Sequence, residues 1–257
     1  MSDLQTFLTT GVFAFMLAFT RIGTSIMVMP GIGNTFVPAN IRLYFALGFA
    51  FVFFPVIQSK LPGQVPGTAL MLTLLMFEFI IGLFIGMVSR ILMSALDVAG
   101  LLISMQASLA NAQLFNPGFA SQGSIIGTFL TIAGMTLMFT TDLHHLLIMA
   151  IVESYDMFPI GKTLDLGSMS ELLTHAVAGS FAVGVQMAAP WLVLVLLLYV
   201  GMGVMSKLMP QVQVFMIAVP VQIWLALIIL ALVFSTMMLV WLDQFSKGMQ
   251  FFLASGG

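Results

Sequence analysis

Four charged residues lie inside, or at the end of, otherwise apolar stretches and are the first candidates for chemistry. Arg21, Glu78 and Asp142 lie inside such stretches, and Arg90 lies near the end of one. A charge at the centre of a membrane-spanning helix costs about 2.5–3.5 kcal/mol on insertion scales. Each charge must therefore pair, reach water or be neutralised. Two roles fit this demand: a proton or ion relay, or polar contacts that hold helices or subunits together.

The spacing of residues in the third apolar stretch favours the structural role. Glu78, Gly82, Gly86 and Arg90 are spaced by four, which places them on one slowly drifting stripe of a helix. The two glycines at its centre allow another helix to approach closely. No second carboxylate lies three or four residues from Glu78, as a relay along this helix would require. The residues predicted to make contacts between helices or subunits are Arg21, Glu78, Arg90 and Asp97.

No set of residues in the sequence supports catalysis. There is no HExxH, GxSxG or P-loop motif, no GxGxxG after a strand, and no cysteine. His144 and His145 follow Asp142, but adjacent side chains on a helix point about 100° apart, so these two rings are not expected to share a metal. We predict a protein that is not an enzyme, with no catalytic residue, no metal site and no cofactor.

The composition identifies the class of protein in which these residues must be positioned. Of 257 residues, 61% are hydrophobic and 6% are charged. Soluble domains are about 45–50% apolar and about 25% charged, so this is an integral membrane protein or part of an assembly that hides its surface. The formal net charge of −2 excludes a nucleic-acid binder, which needs a basic face.

Continuous apolar runs predict an all-α, polytopic membrane-type fold. A spanning helix needs about 20 apolar residues, and strands of a membrane barrel would alternate instead. Proline and glycine mark most breaks, and the pattern Ser168-Met169-Ser170-Glu171 predicts a capping box that opens the fifth helix. Basic residues show no bias between alternate loops, so membrane topology is not predicted. The six apolar stretches are Leu4–Met29, Ile41–Ile57, Ala69–Met93, Ile125–Ile151, Leu172–Met205 and Val212–Leu242.

The segment from Asp97 to Ser124 differs from the other stretches between apolar runs. It is rich in Ala, Ser, Gly, Asn and Gln, and its one charge is Asp97. Uncharged backbone at membrane depth is tolerated where it packs in protein or lines a water-filled path. Phe115 and Phe119 flank the turn sequence Asn116-Pro117-Gly118, and hydrophobic constrictions can close a pore. The alternative is an interfacial loop with anchoring aromatic residues.

Methionine is unusually frequent, with 22 residues in the chain. Met202, Met205, Met209 and Met216 fall at heptad-like spacing, although Pro210 interrupts a single helix there. Methionine suits surfaces that repack around varied partners. We interpret these four residues as an adaptable surface; the alternative is that they are ordinary apolar filler.

Several blocks together resemble the R-type subunit family of the flagellar type III secretion export gate (the FliR family), whose injectisome counterpart is the T-type subunit. The block Pro-Gln-x-x-x-Phe at residues 210–215 is fairly specific, and the ordered set is much more so. The residues that carry the resemblance are Arg21, Pro30-Gly31-Ile32-Gly33, Pro38, Arg42 and Pro55; Glu78, Gly82, Gly86, Asp97, Gly100, Gln106 and Asn116-Pro117; Asp142-Leu143-His144-His145-Leu146, Ser154 and Pro159-Ile160-Gly161; and Pro190, Lys207-Leu208-Met209-Pro210-Gln211-Val212-Gln213-Val214-Phe215 and Pro220.

The resemblance implies helical hairpins in a larger hetero-oligomeric helical assembly of the bacterial inner membrane, at the flagellar basal body. One R-type subunit would assemble with five P-type and four Q-type subunits and contact other export-apparatus membrane proteins. Unfolded exported proteins would be the substrate. The chain would be a single subunit, with residues from about 1 to 200 P-like. Residues from about 201 to 257, with the preceding long helix, would be Q-like.

The resemblance also implies that a loop at about 106–122 plugs the central pore. Some relatives place phenylalanines at positions that align with Asn111 and Leu114, whereas this chain has Phe115 and Phe119. The residues expected in the plug are Gln106, Asn111, Leu114, Phe115, Asn116, Pro117 and Phe119. A secondary transporter or small-solute channel is the competing function; it should show broken helices in two repeated halves, and the sequence shows broken helices without such a repeat.

Overall fold

Every regular element in the described part of this computed structural model is helical. The structure describes residues 2–34, 36–109, 124–162, 164–209 and 214–253. The helices are α1 (Ser2–Val28), α2 (Ala39–Ile57), α3 (Thr68–Gln106), α4 (Ile125–Thr140), α5 (Leu143–Met157), α6 (Leu166–Leu208) and α7 (Val214–Gln250), with a 3-10 turn at Gln58–Lys60.

Among the described residues, five helices are long and apolar enough to cross a membrane, or six if the broken pair α4–α5 forms one span. This confirms the predicted all-α, polytopic membrane-type fold. The prediction of one continuous fourth stretch is wrong, because the helix stops at Thr140 and a new one begins at Leu143. Asp142, between them, has a left-handed backbone with φ of 60°. Asp tolerates this conformation better than most residues because its short side chain can hydrogen-bond locally.

Two other predicted boundaries also differ from the structure. The third helix continues to Gln106, so Asp97 and Gln106 are helical and do not belong to an interhelical stretch. The fifth predicted helix opens at Leu166, before the expected Ser168–Glu171 box. There Asp165 acts as the cap: its Oδ1 accepts the backbone N–H groups of Gly167 (3.0 Å) and Ser168 (3.2 Å). Asp is a strong N-cap residue for this reason.

The first compact unit comprises residues 1–92, 139–176 and 245–257. Within it, α1 packs along α2, and α5 contacts both. Phe13 and Leu17 of α1 form an apolar cluster with Leu74 of α3. Phe84 packs edge-on against Phe158 and Phe252, with centroids 6.1 and 5.9 Å away. Edge-to-face pairs of this kind add stability beyond their buried area.

The second compact unit comprises residues 93–138 and 177–244. Its largest buried side chains are Trp191 and Trp241, both with no exposed surface. Nε1 of Trp191 donates to the carbonyl of Ala226, 3.1 Å away, which satisfies the only polar atom of a buried indole. A Cβ on Gly100 would overlap the backbone of Gly127, so α3 and α4 touch backbone to backbone here. Both units are assembled from separated stretches of chain, and the division into P-like and Q-like parts stays a prediction.

Candidate functional site

A buried ion pair joins α1 to α3 inside the first unit. Nε of Arg21 donates to Oε2 of Glu78 at 2.6 Å, and Nη2 donates to Oε1 at 2.9 Å. The side chains are 0% and 2% exposed. This bidentate geometry is the strongest arrangement that a guanidinium and a carboxylate can make. The two charges that the sequence left without partners therefore neutralise each other within the chain, and Glu78 makes a contact between helices.

The remaining donors of Arg21 tie this pair to α5. Nη1 donates to the carbonyl of Ser154 at 3.0 Å, and Nη2 donates to the carbonyl of Phe158 at 2.9 Å. Cζ lies 3.9 Å from the centroid of the Tyr155 ring, a cation–π contact. Arg21 thus fastens three helices, α1, α3 and α5, at one buried point. The hydroxyl of Ser154 also accepts from Nη1 at 3.3 Å. The sequence did not reveal these partners, because two of the acceptors are backbone carbonyls, which carry no residue-type signal, and Ser154 lies 133 residues from Arg21.

The glycines next to Glu78 form the close helix contact that their spacing predicted. A Cβ on Gly82 would overlap the carbonyl oxygen of Arg21, and a Cβ on Gly86 would lie 2.7 Å from Cβ of Val28. The hydroxyl of Ser25 donates to the carbonyl of Gly82 at 3.0 Å. The glycines let α1 approach α3 closely enough for the short bonds between Arg21 and Glu78.

Arg90 and Asp97, the other two residues predicted in polar contacts, lie in more open surroundings. Arg90 is exposed, and its Nη1 donates to the carbonyl of Val28 over 3.4 Å. Asp97, on α3, accepts a hydrogen bond from the hydroxyl of Thr131 on α4 at 2.6 Å. Each links two helices of its own unit. Contacts of these two residues with other subunits stay a prediction.

Most of the predicted plug lies outside the described residues. Of its members, Asn111, Leu114, Phe115, Asn116, Pro117 and Phe119 fall there, while Gln106 is the last residue of α3. The hydroxyls of Ser104 and Ser124 are 2.6 Å apart, and Ser124 donates to the carbonyl of Gly100 at 2.9 Å. These hydrogen bonds join the last turns of α3 to Ser124, the residue that follows the segment.

A further hydrogen bond holds the chain just before this segment. Ser108 has a left-handed backbone with φ of 59°, and its hydroxyl donates to the side-chain oxygen of Gln222 on α7. Gln222 is buried although it sits in an apolar helix. The sequence analysis missed both residues. The signal that could have found them is the single polar residue in the run from Ala218 to Val233, since a polar side chain buried there needs a partner.

Comparison with known proteins assigns the chain to a family. The sequence profile described as bacterial export proteins, family 1, matches residues 12–248. The chain belongs to that family. It is 40% identical over 242 residues to the flagellar biosynthetic protein FliR of Caulobacter vibrioides, covering 94% of this chain and 96% of the relative. It is 30% identical over 217 residues to FliR of Aquifex aeolicus, covering 84% and 83%.

The same family reaches beyond flagellar proteins. The chain is 30% identical over 189 residues to the Yop proteins translocation protein T of Yersinia pestis, covering 72% of this chain and 71% of that one. These matches confirm the resemblance drawn from the ordered blocks. The match at residues 12–248 includes the buried ion pair and both ends of the 110–123 segment.

The four methionines of this family member lie at the end of α6 and the start of α7. Met205 and Met209 are about half exposed, and Met202 is partly buried. Met216 lies in α7, and its side chain is outside the described residues. Three of the four therefore stand where a partner or lipid could contact them, and their role as an adaptable surface stays a prediction.

The histidine pair differs from its expected geometry. The ring centroids of His144 and His145 are 4.2 Å apart, so the two rings do not diverge. Rotation about the side-chain torsions brings together rings whose Cα–Cβ bonds point apart. Ligand atoms of Asp142, His144 and His145 all lie within 4.8 Å of one another. The reason given for excluding a shared metal is therefore wrong.

Proposed function

We propose that this chain is a non-enzymatic core subunit of a flagellar type III protein export gate in the bacterial inner membrane. In this role it forms part of the protein-conducting pore, together with P-type and Q-type subunits. The observation that carries the proposal is the family match over nearly the whole chain, since the relatives bear the names of flagellar biosynthetic and translocation proteins. The apolar helices support a position in a membrane.

The exposed apolar surface supports assembly with other membrane proteins. Only 17% of the apolar part of α2, and 17% of that of α7, is buried within the chain, whereas 50% of that of α1 is buried. Large apolar side chains such as Phe51, Trp224 and Leu232 are mostly exposed. A monomer with such helices must cover them with lipid or with neighbouring helices. In the proposed gate, P-type and Q-type subunits cover much of this surface, and Met202, Met205 and Met209 adapt as exported chains pass.

The contact between the residues that precede and follow the 110–123 segment supports its proposed role as the plug. The last turns of α3 are joined to Ser124 through Ser104, which suits a loop that projects into a pore and returns to the same helix end. In this proposal, the Asn116-Pro117 turn with Phe115 and Phe119 occupies the pore at rest. Asn111 and Leu114 precede that turn in the sequence. Closure by apolar side chains works because a narrow apolar pore excludes water and ions.

Native mass spectrometry tests the assembly. The chain would be tagged, co-expressed with the genes that flank its own, and purified in mild detergent. We expect a complex with one copy of this chain and several copies of two smaller membrane proteins, in the proportion one to five to four. A monomer or homodimer that binds neither protein would contradict the proposal and favour the transporter alternative.

A leakage measurement tests the plug without changing the length of the loop. Residues 110–122 would be replaced by an equally long Gly/Ser sequence, so that Ser104 and Ser124 still hold the ends. We expect the complex to assemble and the cells to admit ions and small molecules that the parent excludes. The control is a Gly/Ser replacement of residues 63–66, between α2 and α3, which should not leak. A tight membrane in the first variant, with the complex intact, would refute the plug.

A further inference from the structure

We propose that Asp142, His144 and His145 bind a first-row divalent transition metal ion, with Zn²⁺ as the probe. The three residues offer one carboxylate oxygen and two imidazole nitrogens, all within 4.8 Å of one another. Imidazole with carboxylate is a ligand set that suits Zn²⁺, Ni²⁺ and Cu²⁺, whereas Mg²⁺ and Ca²⁺ prefer oxygen alone. This site is separate from the ion pair and the plug, and it does not depend on the proposed function.

The geometry needs only small side-chain movements to close around a metal. In a tetrahedral zinc site with bonds of 2.0–2.2 Å, neighbouring ligand atoms lie about 3.3–3.5 Å apart. The carboxylate of Asp142 already lies 3.6 Å from Nδ1 of His145. Both of these side chains are more than half exposed. A fourth position stays open to water or to a ligand from a neighbouring subunit.

Two of the three ligands have unused binding capacity. Asp142 precedes α5 as its N-cap residue, yet its carboxylate makes no capping hydrogen bond to the helix. An Asp at this position ordinarily accepts the N–H of the second or third helical residue. Nδ1 of His144 is buried and has no hydrogen-bond partner within the part of the chain that the structure describes. A buried nitrogen without a partner is costly, and a metal ion would supply one.

The ligands come from the break between α4 and α5 and from the first turn of α5. Asp142 lies in the break, with its left-handed backbone, and the histidines follow two and three residues later. Metal binding would therefore fix the conformation of the break. The contribution to stability depends on the free metal concentration, because an ion that binds only the folded chain stabilises it by mass action.

The chain has few other side chains that could bind Zn²⁺, which simplifies a direct binding experiment. The sequence has three histidines and no cysteine, so His175 is the sole imidazole outside the cluster. The full chain would be purified through a tag without histidine, stripped with a chelator and titrated with Zn²⁺ against a fluorescent competitor. We expect one Zn²⁺ per chain, with affinity falling as the pH is lowered, because protons compete for the same nitrogens.

Variants distinguish this site from weak surface binding. His144→Ala, His145→Ala and Asp142→Asn should each lower the Zn²⁺ affinity by at least about tenfold, since even supporting groups around a metal are worth about 10–100-fold. The matched control is His175→Ala, which removes an exposed imidazole near Glu171 and should leave the affinity unchanged. His145 and Asp142 are exposed, so their variants should melt like the parent without metal.

Three results would overturn the proposal. The parent could fail to bind Zn²⁺ in competition with the fluorescent competitor. His145→Ala could bind as tightly as the parent. His175→Ala could lose as much affinity as the cluster variants, which would show that zinc binds exposed imidazoles without a defined site.

Discussion

Replacing Glu78 by Gln should destabilise the chain by about 3 kcal/mol. The change keeps the shape of the side chain and one acceptor oxygen, but it removes the negative charge opposite the fully buried guanidinium of Arg21. Removing one partner of a buried ion pair costs roughly 3–5 kcal/mol, because the other charge stays buried without compensation. The carbonyls of Ser154 and Phe158 and the ring of Tyr155 still contact Arg21, so the lower end applies.

The chain offers a matched control in a second ion pair of the same unit. Nζ of Lys60 lies 2.6 Å from Oδ2 of Asp156, but these side chains are 33% and 53% exposed. Exposed pairs contribute about 0–1 kcal/mol, since water screens the charges. Asp156→Asn removes a charge by the same isosteric change as Glu78→Gln, so the difference between the variants measures the effect of burial. We expect that difference to be at least about 2 kcal/mol.

The assay is unfolding of the purified chain in mild detergent, followed by circular dichroism as temperature or denaturing detergent increases. A double-mutant cycle with Arg21→Met and Glu78→Met adds a second measure. The double variant should lose less stability than the two single variants together, by about 2 kcal/mol, because neither charge is left alone. The reasoning is refuted if Glu78→Gln is as mild as Asp156→Asn, or if the cycle shows no coupling. A stable variant with normal assembly but altered proton-driven export would instead support the relay.

Three further changes test other parts of the structure. Gly82→Val should prevent the approach of α1 to α3, so that no folded chain is recovered. Gly48→Val is the control, because a Cβ there meets open space, and it should fold with the melting temperature of the parent. Equal yields of folded protein from both variants would argue against the close crossing. Hydrogen bonds from a serine hydroxyl and from backbone N–H groups lower the pKa of Asp165. Its ionised form therefore stabilises the fold at pH values above the unfolded-state pKa of about 3.9. Asp165→Asn should therefore melt at a lower temperature than the parent at pH 7. This difference should shrink as the pH falls below the unfolded-state pKa of Asp165 and through its lowered pKa in the folded chain. A difference that does not change with pH would exclude the carboxylate as its cause. Trp191→Phe should cost more than about 1 kcal/mol in denaturant unfolding, because the hydrogen bond to the carbonyl of Ala226 is lost and the smaller ring leaves a cavity at this fully buried site. A neutral result would contradict this account of the site.

The sequence predicted the helices and one helix contact well, because both depend on local patterns. Apolar runs of sufficient length can only be helices in a membrane, and glycines four residues apart mark a close crossing whatever the partner helix is. The partner of Glu78 could not be predicted, since Arg21 lies 57 residues away and no local pattern specifies which helices meet. The backbone acceptors in α5 were invisible for the same reason.

The errors in the sequence analysis came from relying on composition where hydrogen bonds decide. The small polar residues from Asp97 to Gln106 suggested a loop, but that run has no proline, and α3 continues through it, including Gly100. The opposite error occurred at Asp142, where no proline or glycine marks the break between α4 and α5. Such a break depends on a left-handed residue that local sequence allows but does not require.

The buried Arg21 has a consequence for how the chain is made. Synthesis proceeds at about 5–20 residues per second, so Glu78 leaves the ribosome roughly 3–11 s after Arg21. During that interval the first hydrophobic segment carries an uncompensated positive charge, which costs about 2.5–3.5 kcal/mol at the centre of the bilayer. The arrival of the third segment supplies the carboxylate of Glu78 and removes this cost. We therefore expect the position of the first segment to become more favourable once the third is in place.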